Sequence, residues 1–277
     1  MRVTASVPAR INIIGEHTDH FGGLSLTFSS QHRLKLTASH REKESRGDQA
    51  VISLWEAAGG WTADLDVDSS IPIGAGLSSS AALCVAIVMC SQSKVDPMEI
   101  SLEAQRIENR VLRSNCGLMD QISITHSKKG LATLLDFSRM SIKSFRMPED
   151  WRFKLVDTGL RRSLSDTNYS SSEVNIQTRR IHAEEESARV RIALTSDARE
   201  LGSILNESHA SISDNIRSST PEIDNMVKAV QNTAGVYGAR LMGGGFGGMI
   251  LALVEEEDAI PGDLLVSSGP AFLQKTL

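Results

Sequence analysis

Aromatic residues are scarce in this sequence, and neither sign of charge dominates it. Only 4% of the 277 residues are Phe, Trp or Tyr, and 29 Lys and Arg stand against 34 Asp and Glu, for a formal net charge of −5. A nucleic-acid-binding surface needs a basic patch and often aromatic rings on which bases stack. A mildly acidic chain also has no net attraction to anionic lipid. We therefore expect neither a nucleic-acid partner nor a membrane partner.

The sequence also lacks a long hydrophobic run and has few cysteines. The best candidate for a membrane span lies between Asp68 and Lys94, but its densely apolar part covers only residues 81–90, and Pro72 precedes it. Because a bilayer span takes roughly 20 apolar residues, this segment predicts a buried helix. The N-terminal residues are too polar for a signal peptide, and three cysteines are too few for a secreted disulfide scaffold. These absences predict a cytoplasmic protein.

The remaining composition is that of an ordinary globular protein, with strands early and helices late. At 40% apolar residues the chain can bury a full core, as one large domain or two smaller ones. Strands followed by helices indicate an α+β architecture. The seam is expected between residues 136 and 153, which divides the chain into domains 1–147 and 148–277. Predicted strands cover residues 1–6, 24–37, 51–54, 61–67, 131–136, 153–157, 235–241 and 249–254, and predicted helices cover 81–90, 97–112, a short segment from 118, 173–191, 196–213 and 221–231.

Residues 8–23 combine an apolar strand core with a group of polar side chains. Arg10 stands at the start of the core, and Glu16, His17 and Asp19 follow its end within four residues. Such a set of donors and acceptors suits a polyhydroxylated ligand. Two other interpretations stay open here. One is a charged turn after an edge strand; the other is a metal site, although neither an HExxH motif nor a cysteine cluster supports it.

A loop of glycine and serine, residues 74–80, leads into the predicted buried helix. Small residues let the backbone approach a ligand closely, and the N–H groups and positive dipole end of the following helix point at the loop. This arrangement predicts a phosphate site. The Walker pattern is absent because the loop contains no lysine. The alternative interpretation is a serine-rich helix cap.

Residues 243–248 form another glycine cluster, which contains the pattern GxGxxG. A dinucleotide-binding fold needs a helix after this motif, whereas the apolar run 249–254 predicts a strand. We therefore expect a tight glycine hairpin packed near a ligand, with a mobile surface hairpin as the alternative. A further carboxylate, Asp120, begins a short apolar helix and is by itself typical of a helix cap.

Taken in this order, the segments resemble the GHMP family of small-molecule kinases, and within it the galactokinases. Residues 10–19, RINIIGEHTD, are similar to the galactokinase signature, and residues 72–82 to the family's phosphate-binding loop. Residues 116–121, CGLMDQ, resemble the segment that carries the active-site aspartate. The likeness extends from residue 7 to residue 254 and includes 162–169, which ends in a tyrosine matching the family's sugar-contacting one, 207–224, 235–240 and 243–248.

The resemblance implies a two-domain α+β GHMP kinase fold, with a mixed β-sheet and helices in each domain and the active site in the cleft between them. It implies an enzyme that uses ATP and Mg²⁺ to phosphorylate the anomeric hydroxyl of galactose, with Asp120 and Arg10 as catalytic residues. By position, the substrate-binding residues are Glu16, His17, Asp19, Gly117 and Tyr169, the nucleotide-binding residues are Gly74, Ala75, Gly76, Leu77, Ser78, Ser79 and Ser80, the Mg²⁺ ligands are Ser80 and Glu108, and the supporting loop contains Gly243, Gly244, Gly245, Gly247 and Gly248.

Some features depart from the family pattern. The interval between residues 23 and 72 is short in a region that normally helps to build the adenine pocket, and His20 replaces a tyrosine. A role for Trp55 or Trp61 in that pocket is a weaker interpretation than a role in the core. These departures keep alternatives open: a kinase for a related sugar (N-acetylgalactosamine, another hexose or a uronic acid), a non-catalytic sugar sensor, or a paralogue without nucleotide binding.

The other polar segments carry no functional prediction. Residues 182–186 and 255–258 are expected to be solvated faces, and Cys116 is expected to be a small packing residue. Neither a heptad pattern nor an obvious apolar interface indicates an oligomeric state.

Overall fold

Apolar alternation at the N-terminus produces two long strands against which the other elements pack. The computed structural model describes residues 1–92, 95–161 and 174–276. The strands are β1 (Arg2–Ile14), β2 (Leu24–His40), β3 (Ala63–Ser69), β4 (Ala132–Asp136), β5 (Ser141–Phe145), β6 (Arg152–Asp157), β7 (Val236–Leu241), β8 (Met249–Val254) and β9 (Phe272–Thr276). The α-helices are α1 (Gln49–Ala57), α2 (Ser79–Gln92), α3 (Pro97–Leu112), α4 (Met119–His126), α5 (Ile176–Ala193), α6 (Ala198–Ser211) and α7 (Pro221–Gln231).

Two sheets organise these elements. The first has the order β5-β4-β2-β1-β9, with β3 also paired to β2, and the second has the order β6-β8-β7. The strands pair antiparallel, and a parallel bridge joins Arg46 and Asp64. The register of β1 against β2 shifts between Pro8 and Arg10. Proline cannot donate to a sheet ladder and is accommodated at such irregularities, so the shift falls immediately before Arg10.

The uncharged segment forms helix α2, which lies in the core. Nine of its 14 residues are buried, with Cys84 and Cys90 among them. A helix that is apolar on all sides is buried on all sides, which confirms the prediction of a buried helix. Within the described residues, no helix combines the length and the apolarity that crossing a bilayer requires.

The predicted strand at residues 51–54 is wrong, because these residues lie inside helix α1. Val51, Leu54 and Trp55 are the buried residues of this helix, and spacings of three and four place them on one face. Asp48 caps the helix by accepting hydrogen bonds from the N–H groups of Ala50 at 2.8 Å and Val51 at 3.3 Å. A short run in which three of four residues are apolar does not by itself distinguish a strand from a helix. Strands β5 and β9 also lie outside the predicted elements.

Helices and antiparallel sheets confirm the α+β fold class, and the end of the chain links the two sheets. Leu265 N donates to the carbonyl oxygen of Phe153 in β6 at 2.8 Å, whereas Ser268 N donates to that of Ser29 in β2 at 2.9 Å. Strand β9 then pairs with β1. The last residues therefore belong structurally to the first sheet, and the division between residues 147 and 148 stays a prediction.

The cap of helix α1 provides a direct test of the local fold. We expect Asp48→Ala to lower the free energy of unfolding by about 1 kcal/mol, because two N–H groups lose their side-chain acceptor. Urea unfolding measures the change, and Asp66→Ala, an exposed carboxylate on β3, is the matched control. Equal losses in the two variants would contradict the capping role.

Candidate active site

Two neighbouring cavities contain most of the predicted site residues. The larger, about 280 Å³, lies between residues 73–80 and the glycine cluster at 243–247. The smaller, about 160 Å³, lies between residues 16–20 and 114–120. Segments far apart in the sequence therefore meet in one place. The residues that line both cavities are Arg10, Ser80, Asp120, Gly243 and Gly244.

The two cavities meet at an ion pair between Arg10 and Asp120. Arg10 Nε donates to Asp120 Oδ1 at 2.8 Å, Nη2 donates to the same oxygen, and Nη1 donates to the carbonyl oxygen of Gly76 at 3.3 Å. Arg10 is 3% exposed, whereas the Asp120 side chain is 28% exposed. Within the described ranges, no donor reaches Asp120 Oδ2. That oxygen is available to a ligand. The alternative of a helix cap is wrong, because Leu118 is the N-cap of α4 and Asp120 lies within its first turn.

Glu16 fixes the arginine of this pair from the other side. Its Oε1 lies 3.8 Å from Arg10 Nη1 and 3.6 Å from Arg240 Nη2, and it accepts a hydrogen bond from Gly243 N at 2.6 Å. Burial alone would raise the pKa of Glu16, but the charges of Arg10 and Arg240 lower it to about 2. The carboxylate is therefore ionised and already engaged. Arg240 is not among the site residues predicted from the sequence. The sequence feature that could have indicated it is a charged residue inside an otherwise apolar strand.

His17 follows Glu16 and is buried against His182. Its φ of +60° is unusual for a residue other than glycine, although histidine is among those that adopt it more often. The ring centroids of His17 and His182 are 6.2 Å apart, and His182 Nε2 lies 3.1 Å from the carbonyl oxygen of Glu16. Burial lowers the pKa of His17 to about 3. The imidazole is therefore neutral near pH 7 and adds no charge to the site.

The expectation of a solvated face at residues 182–186 is wrong for its two ends. His182 and Glu186 are fully buried. Glu186 accepts a hydrogen bond from Gly15 N at 3.2 Å and pairs with Arg189 Nη1 at 2.8 Å. A run of charged residues in a sequence is typical of a solvent-exposed face. Here the buried Glu186 instead holds the loop that follows β1. The other segment expected to be solvated, 255–258, is exposed.

Asp19 and Gly117 lie against each other in the smaller cavity. Met119 N donates to Asp19 Oδ2 at 3.4 Å, and His20 N donates to Oδ1 at 3.1 Å. A Cβ added to Gly117 would overlap the Asp19 carboxylate, so this position requires glycine. Burial raises the pKa of Asp19. A buried carboxylate that accepts from backbone N–H groups has further lone pairs that can accept hydroxyl donors of a ligand.

The two glycine segments pack backbone to backbone around the larger cavity. Met249 N donates to the carbonyl oxygen of Ala75 at 3.0 Å. Gly76 has a φ of +74°, and a Cβ there would lie 2.6 Å from the carbonyl oxygen of Met242. A Cβ on Gly243 would lie 2.7 Å from Gly76 Cα. The glycine hairpin therefore packs closely against residues 74–80. Of its predicted residues, Gly243, Gly244, Gly245 and Gly247 line the larger cavity, whereas Gly248 packs behind it on Ala75.

Residues 74–80 divide into a cavity side and a core side. Ala75 and Leu77 are 1% exposed and belong to the hydrophobic core, so their side chains do not line the cavity. Ser78 Oγ is buried and has no hydrogen-bond partner within the described ranges. Buried hydroxyls normally have a hydrogen-bond partner, so this hydroxyl is available to a ligand. The predicted residues that line the larger cavity are Gly74, Gly76, Ser78, Ser79 and Ser80.

Ser80 and Glu108 form a pair at the boundary between the cavities. Ser80 Oγ donates to Glu108 Oε1 at 2.7 Å, and Gln121 Nε2 donates to Oε2 at 2.7 Å. Burial, with a smaller contribution from the charge of Asp120, raises the pKa of Glu108 to about 7. A buried carboxylate with neutral partners is a suitable ligand for a cation. In the described part of the chain, no group of three or more His, Cys, Asp or Glu would hold a metal by protein ligands alone.

Other residues named from the sequence lie elsewhere. Tyr169 falls outside the described residues. Trp55 is fully buried and donates from Nε1 to the carbonyl oxygen of Trp61 at 2.6 Å, and neither ring lines either of these two cavities. The core role is therefore confirmed for Trp55. Cys116 lines the smaller cavity, and burial raises the pKa of its thiol to about 12.

Comparison with known proteins agrees with this geometry. Profiles described as GHMP kinases N terminal domain, GHMP kinases C terminal and galactokinase galactose-binding signature match residues 46–128, 190–261 and 2–39. Lactococcus lactis galactokinase complexed with galactose is similar with a TM-score of 0.82 at 22% identity, over 98% of this chain and 95% of that chain. At this identity the likeness establishes the shared fold.

Two other kinases of the same fold are similar over comparable lengths. A D-glycero-D-manno-heptose 1-phosphate kinase from Bacteroides thetaiotaomicron has a TM-score of 0.65 at 16% identity, over 99% of both chains. Methanococcus jannaschii mevalonate kinase has a TM-score of 0.70 at 15% identity, over 92% of both chains. The fold is thus shared by kinases whose names indicate different acceptors.

The neutral state of His17 predicts a pH dependence of stability. Its pKa is lowered from an ordinary 6.5 to about 3. Between these values the unfolded chain binds a proton that the folded chain does not, so stability falls as the pH drops below 6.5, by ~1.4 kcal/mol per pH unit for one such group. We expect His17→Asn, which tolerates a positive φ, to flatten this decline.

Urea unfolding of the ligand-free protein between pH 7 and pH 5 measures the effect. His40→Asn, at an exposed position, is the matched control and keeps the decline of the natural chain. An unchanged slope in the His17 variant would contradict a buried neutral imidazole.

Proposed function

The chain belongs to the GHMP kinase family, and from that premise we propose that it transfers the γ-phosphoryl group of ATP to the anomeric hydroxyl of galactose. One observation carries the proposal: the cavity of the glycine and serine segments and the cavity of the polar segment share the Arg10–Asp120 pair. A donor phosphate and an acceptor hydroxyl bound in these cavities would meet at that pair.

The larger cavity suits the phosphates of a nucleotide. Helix α2 begins at Ser79 beside it, and the first N–H groups of a helix have no acceptor within the helix and attract anions. The Ser78 hydroxyl is buried without a partner in the described ranges. Positive φ values at Gly74 and Gly76 let the backbone turn closely around a ligand. These features support the phosphate-site hypothesis over a plain helix cap.

The smaller cavity suits a neutral sugar. It is lined by the carboxylates of Asp19, Glu108 and Asp120 together with the neutral His17. Carboxylates accept hydrogen bonds from hydroxyl groups and disfavour an acceptor that is itself an anion. The match of residues 2–39 to a galactose-binding signature supports galactose within this class. By resemblance Tyr169 contributes a further sugar contact.

The proposed chemistry uses positioning and charge. Phosphoryl transfer needs the acceptor oxygen in line with the phosphorus, and charge stabilisation rather than covalent catalysis. Asp120 Oδ2 accepts the proton of the anomeric hydroxyl as that oxygen attacks the γ-phosphorus of ATP. The bond between the γ-phosphorus and the β–γ bridging oxygen breaks, and ADP leaves with that oxygen. Arg10, held between Asp120 and the carbonyl of Gly76, lies where it can stabilise negative charge on the transferring group.

Magnesium is implied by the family, and the residues present fit it. Ser80 and Glu108 would hold the ion, and Mg²⁺ is commonly bound by one or two protein oxygens together with substrate phosphates. When bound, it neutralises charge on the phosphates and compensates the buried Glu108 carboxylate. Gln121 orients that carboxylate through Oε2.

The domain division and the compartment are proposals as well. The cleft would lie between residues 1–147, which supply the ion pair and residues 74–80, and residues 148–277, which supply the glycine cluster. Three free cysteines support a cytoplasmic compartment.

A related sugar is the second candidate acceptor, because His20 lines the smaller cavity where the family has a tyrosine. Initial rates of ADP release with ATP, Mg²⁺ and a panel of free sugars test the choice. The panel contains galactose, N-acetylgalactosamine, glucose and galacturonic acid. We expect the highest kcat/KM with galactose, whereas a higher value for another member would move the assignment to that sugar. No ADP release with any sugar would contradict the kinase proposal and favour a sensor.

Asp120 should be essential for turnover but not for sugar binding. We expect Asp120→Asn to lower kcat by about 10²–10⁴-fold, because the amide cannot accept the proton, while galactose still raises the melting temperature. Asp136→Asn, at the end of β4 and bonded to Ser138, is the control and keeps turnover. An Asp120→Asn variant with unchanged kcat would contradict the assigned role.

The two cavities should be separable by thermal shift. We expect Asp19→Ala to abolish the rise in melting temperature with galactose and to keep the rise with Mg²⁺ and ADP, because only the smaller cavity contains Asp19. We expect Ser78→Ala to do the reverse, because only the larger cavity contains Ser78. Loss of both responses in both variants, or of neither, would contradict two separate subsites.

A further inference from the structure

Arg240 lines neither cavity, yet it lies 3.6 Å from Glu16, the carboxylate beside Arg10. It lies in β7 and is fully buried. Its Nε donates to the carbonyl oxygen of Ile13 at 2.9 Å and its Nη2 to that of Asn12 at 2.5 Å. Nη1 donates to the carbonyl oxygen of Leu241 at 3.0 Å. The Arg240 guanidinium therefore joins the second sheet to the last residues of β1, immediately before the site residues 16–19.

The same guanidinium completes a row of alternating charges. The order in space is Arg240, Glu16, Arg10, Asp120, with gaps of 3.6 Å and 3.8 Å on the two sides of Glu16 and 2.8 Å between Arg10 Nε and Asp120. Within this row two cations balance two carboxylates, and its members other than Asp120 are buried. His17 adds no charge, because burial lowers its pKa to about 3.

Removing Arg240 would unbalance this row. Arg10 would then be the one cation in the row for two carboxylates, Glu16 and Asp120. A buried charge that loses its partner is strongly destabilised and draws in whichever opposite charge remains. Arg10 Nη1 already lies 3.8 Å from Glu16 Oε1, so a small side-chain movement would take it away from Asp120.

We infer that Arg240 is a positioning residue for the proposed phosphoryl transfer: it neutralises Glu16 and holds the end of β1, so that Arg10 stays on Asp120. The inference rests on the proposed function for its kinetic consequence, but its structural content, the dependence of the Arg10–Asp120 contact on Arg240, stands independently. Lysine cannot replace it, because a single ammonium does not reach carbonyl oxygens and a carboxylate on several sides as the planar guanidinium fork does.

Kinetics of Arg240→Met and Arg240→Lys test the positioning role. We expect kcat to fall by about 100-fold in both, as for a displacement of a reacting group by about 1 Å. KM for ATP and for galactose should change much less, because Arg240 lines neither cavity. Arg33→Met is the matched control: Arg33 donates to Ser6, Ser268 and the carbonyl of Pro270, away from the site. It should lower the melting temperature and leave kcat unchanged.

A second substitution separates positioning from simple structural damage. In Glu16→Gln/Arg240→Met both members of the Arg240–Glu16 pair lose their charge. Asp120 is then the carboxylate of the row that remains for Arg10. We expect kcat of the double variant to exceed that of Arg240→Met. A merely structural role predicts instead that the second buried substitution lowers kcat further, and that outcome would overturn the inference.

A readout without turnover keeps the inference separate from the proposed function. A double-mutant cycle of Arg10→Gln and Asp120→Asn, followed by urea unfolding, gives the coupling free energy between the two side chains. The cycle is measured in the natural chain and in the Arg240→Met background, or in Arg240→Lys if the methionine variant does not fold. We expect the coupling to be lost when Arg240 is replaced. If the natural chain releases no ADP with any sugar, the proposed function fails while this cycle still decides the inference; unchanged coupling overturns it.

Discussion

The ion pair between Arg10 and Asp120 is the interaction on which the rest of the site depends. It joins residues that are 110 positions apart and separates the two cavities. A buried arginine is tolerated only where carboxylates and carbonyl oxygens compensate it. Here Asp120, Glu16 and the carbonyl of Gly76 do so. Moving Arg10 would therefore disturb both proposed subsites together.

The two glycine segments impose the second constraint. Because their glycines have no side chains, the two backbones can approach each other closely. Gly76 and Gly243 approach so closely that a Cβ on either would meet the other segment's backbone at less than 3 Å. Gly117 makes the corresponding room for Asp19. Glycine at these positions lets residues from both sheets converge on one small volume, which a phosphoryl-transfer site requires.

Much of this arrangement could be predicted from the sequence where local chemistry is decisive. Helices α3 and α7 begin and end as expected, since each has a proline in its first turn and a capping Asp96 or Thr220 before it. The sequence also indicates the site segments, because clusters of glycine, serine and polar residues next to apolar runs are typical of ligand-binding loops. The spatial meeting of Arg10 with Asp120 came from the family resemblance, not from local pattern.

The incorrect predictions concern residues whose structure depends on tertiary contacts. The sequence predicts a strand at residues 51–54, but a short run with three apolar residues fits a strand and a helix equally well. Packing of Val51, Leu54 and Trp55 selects the helix. Strand β9 depends on β1, more than 250 residues away. His182, Glu186 and Arg240 resemble surface residues in the sequence, yet each is buried because a partner from another element compensates it. No local signal reports such a partner.

A crystal structure of the protein with galactose, a non-hydrolysable ATP analogue and Mg²⁺ tests the central claim most directly. The account predicts the terminal phosphate against residues 74–80 and the anomeric oxygen at Asp120 Oδ2, with Arg10 between them. A sugar bound outside the smaller cavity, or an anomeric oxygen remote from Asp120, would contradict it.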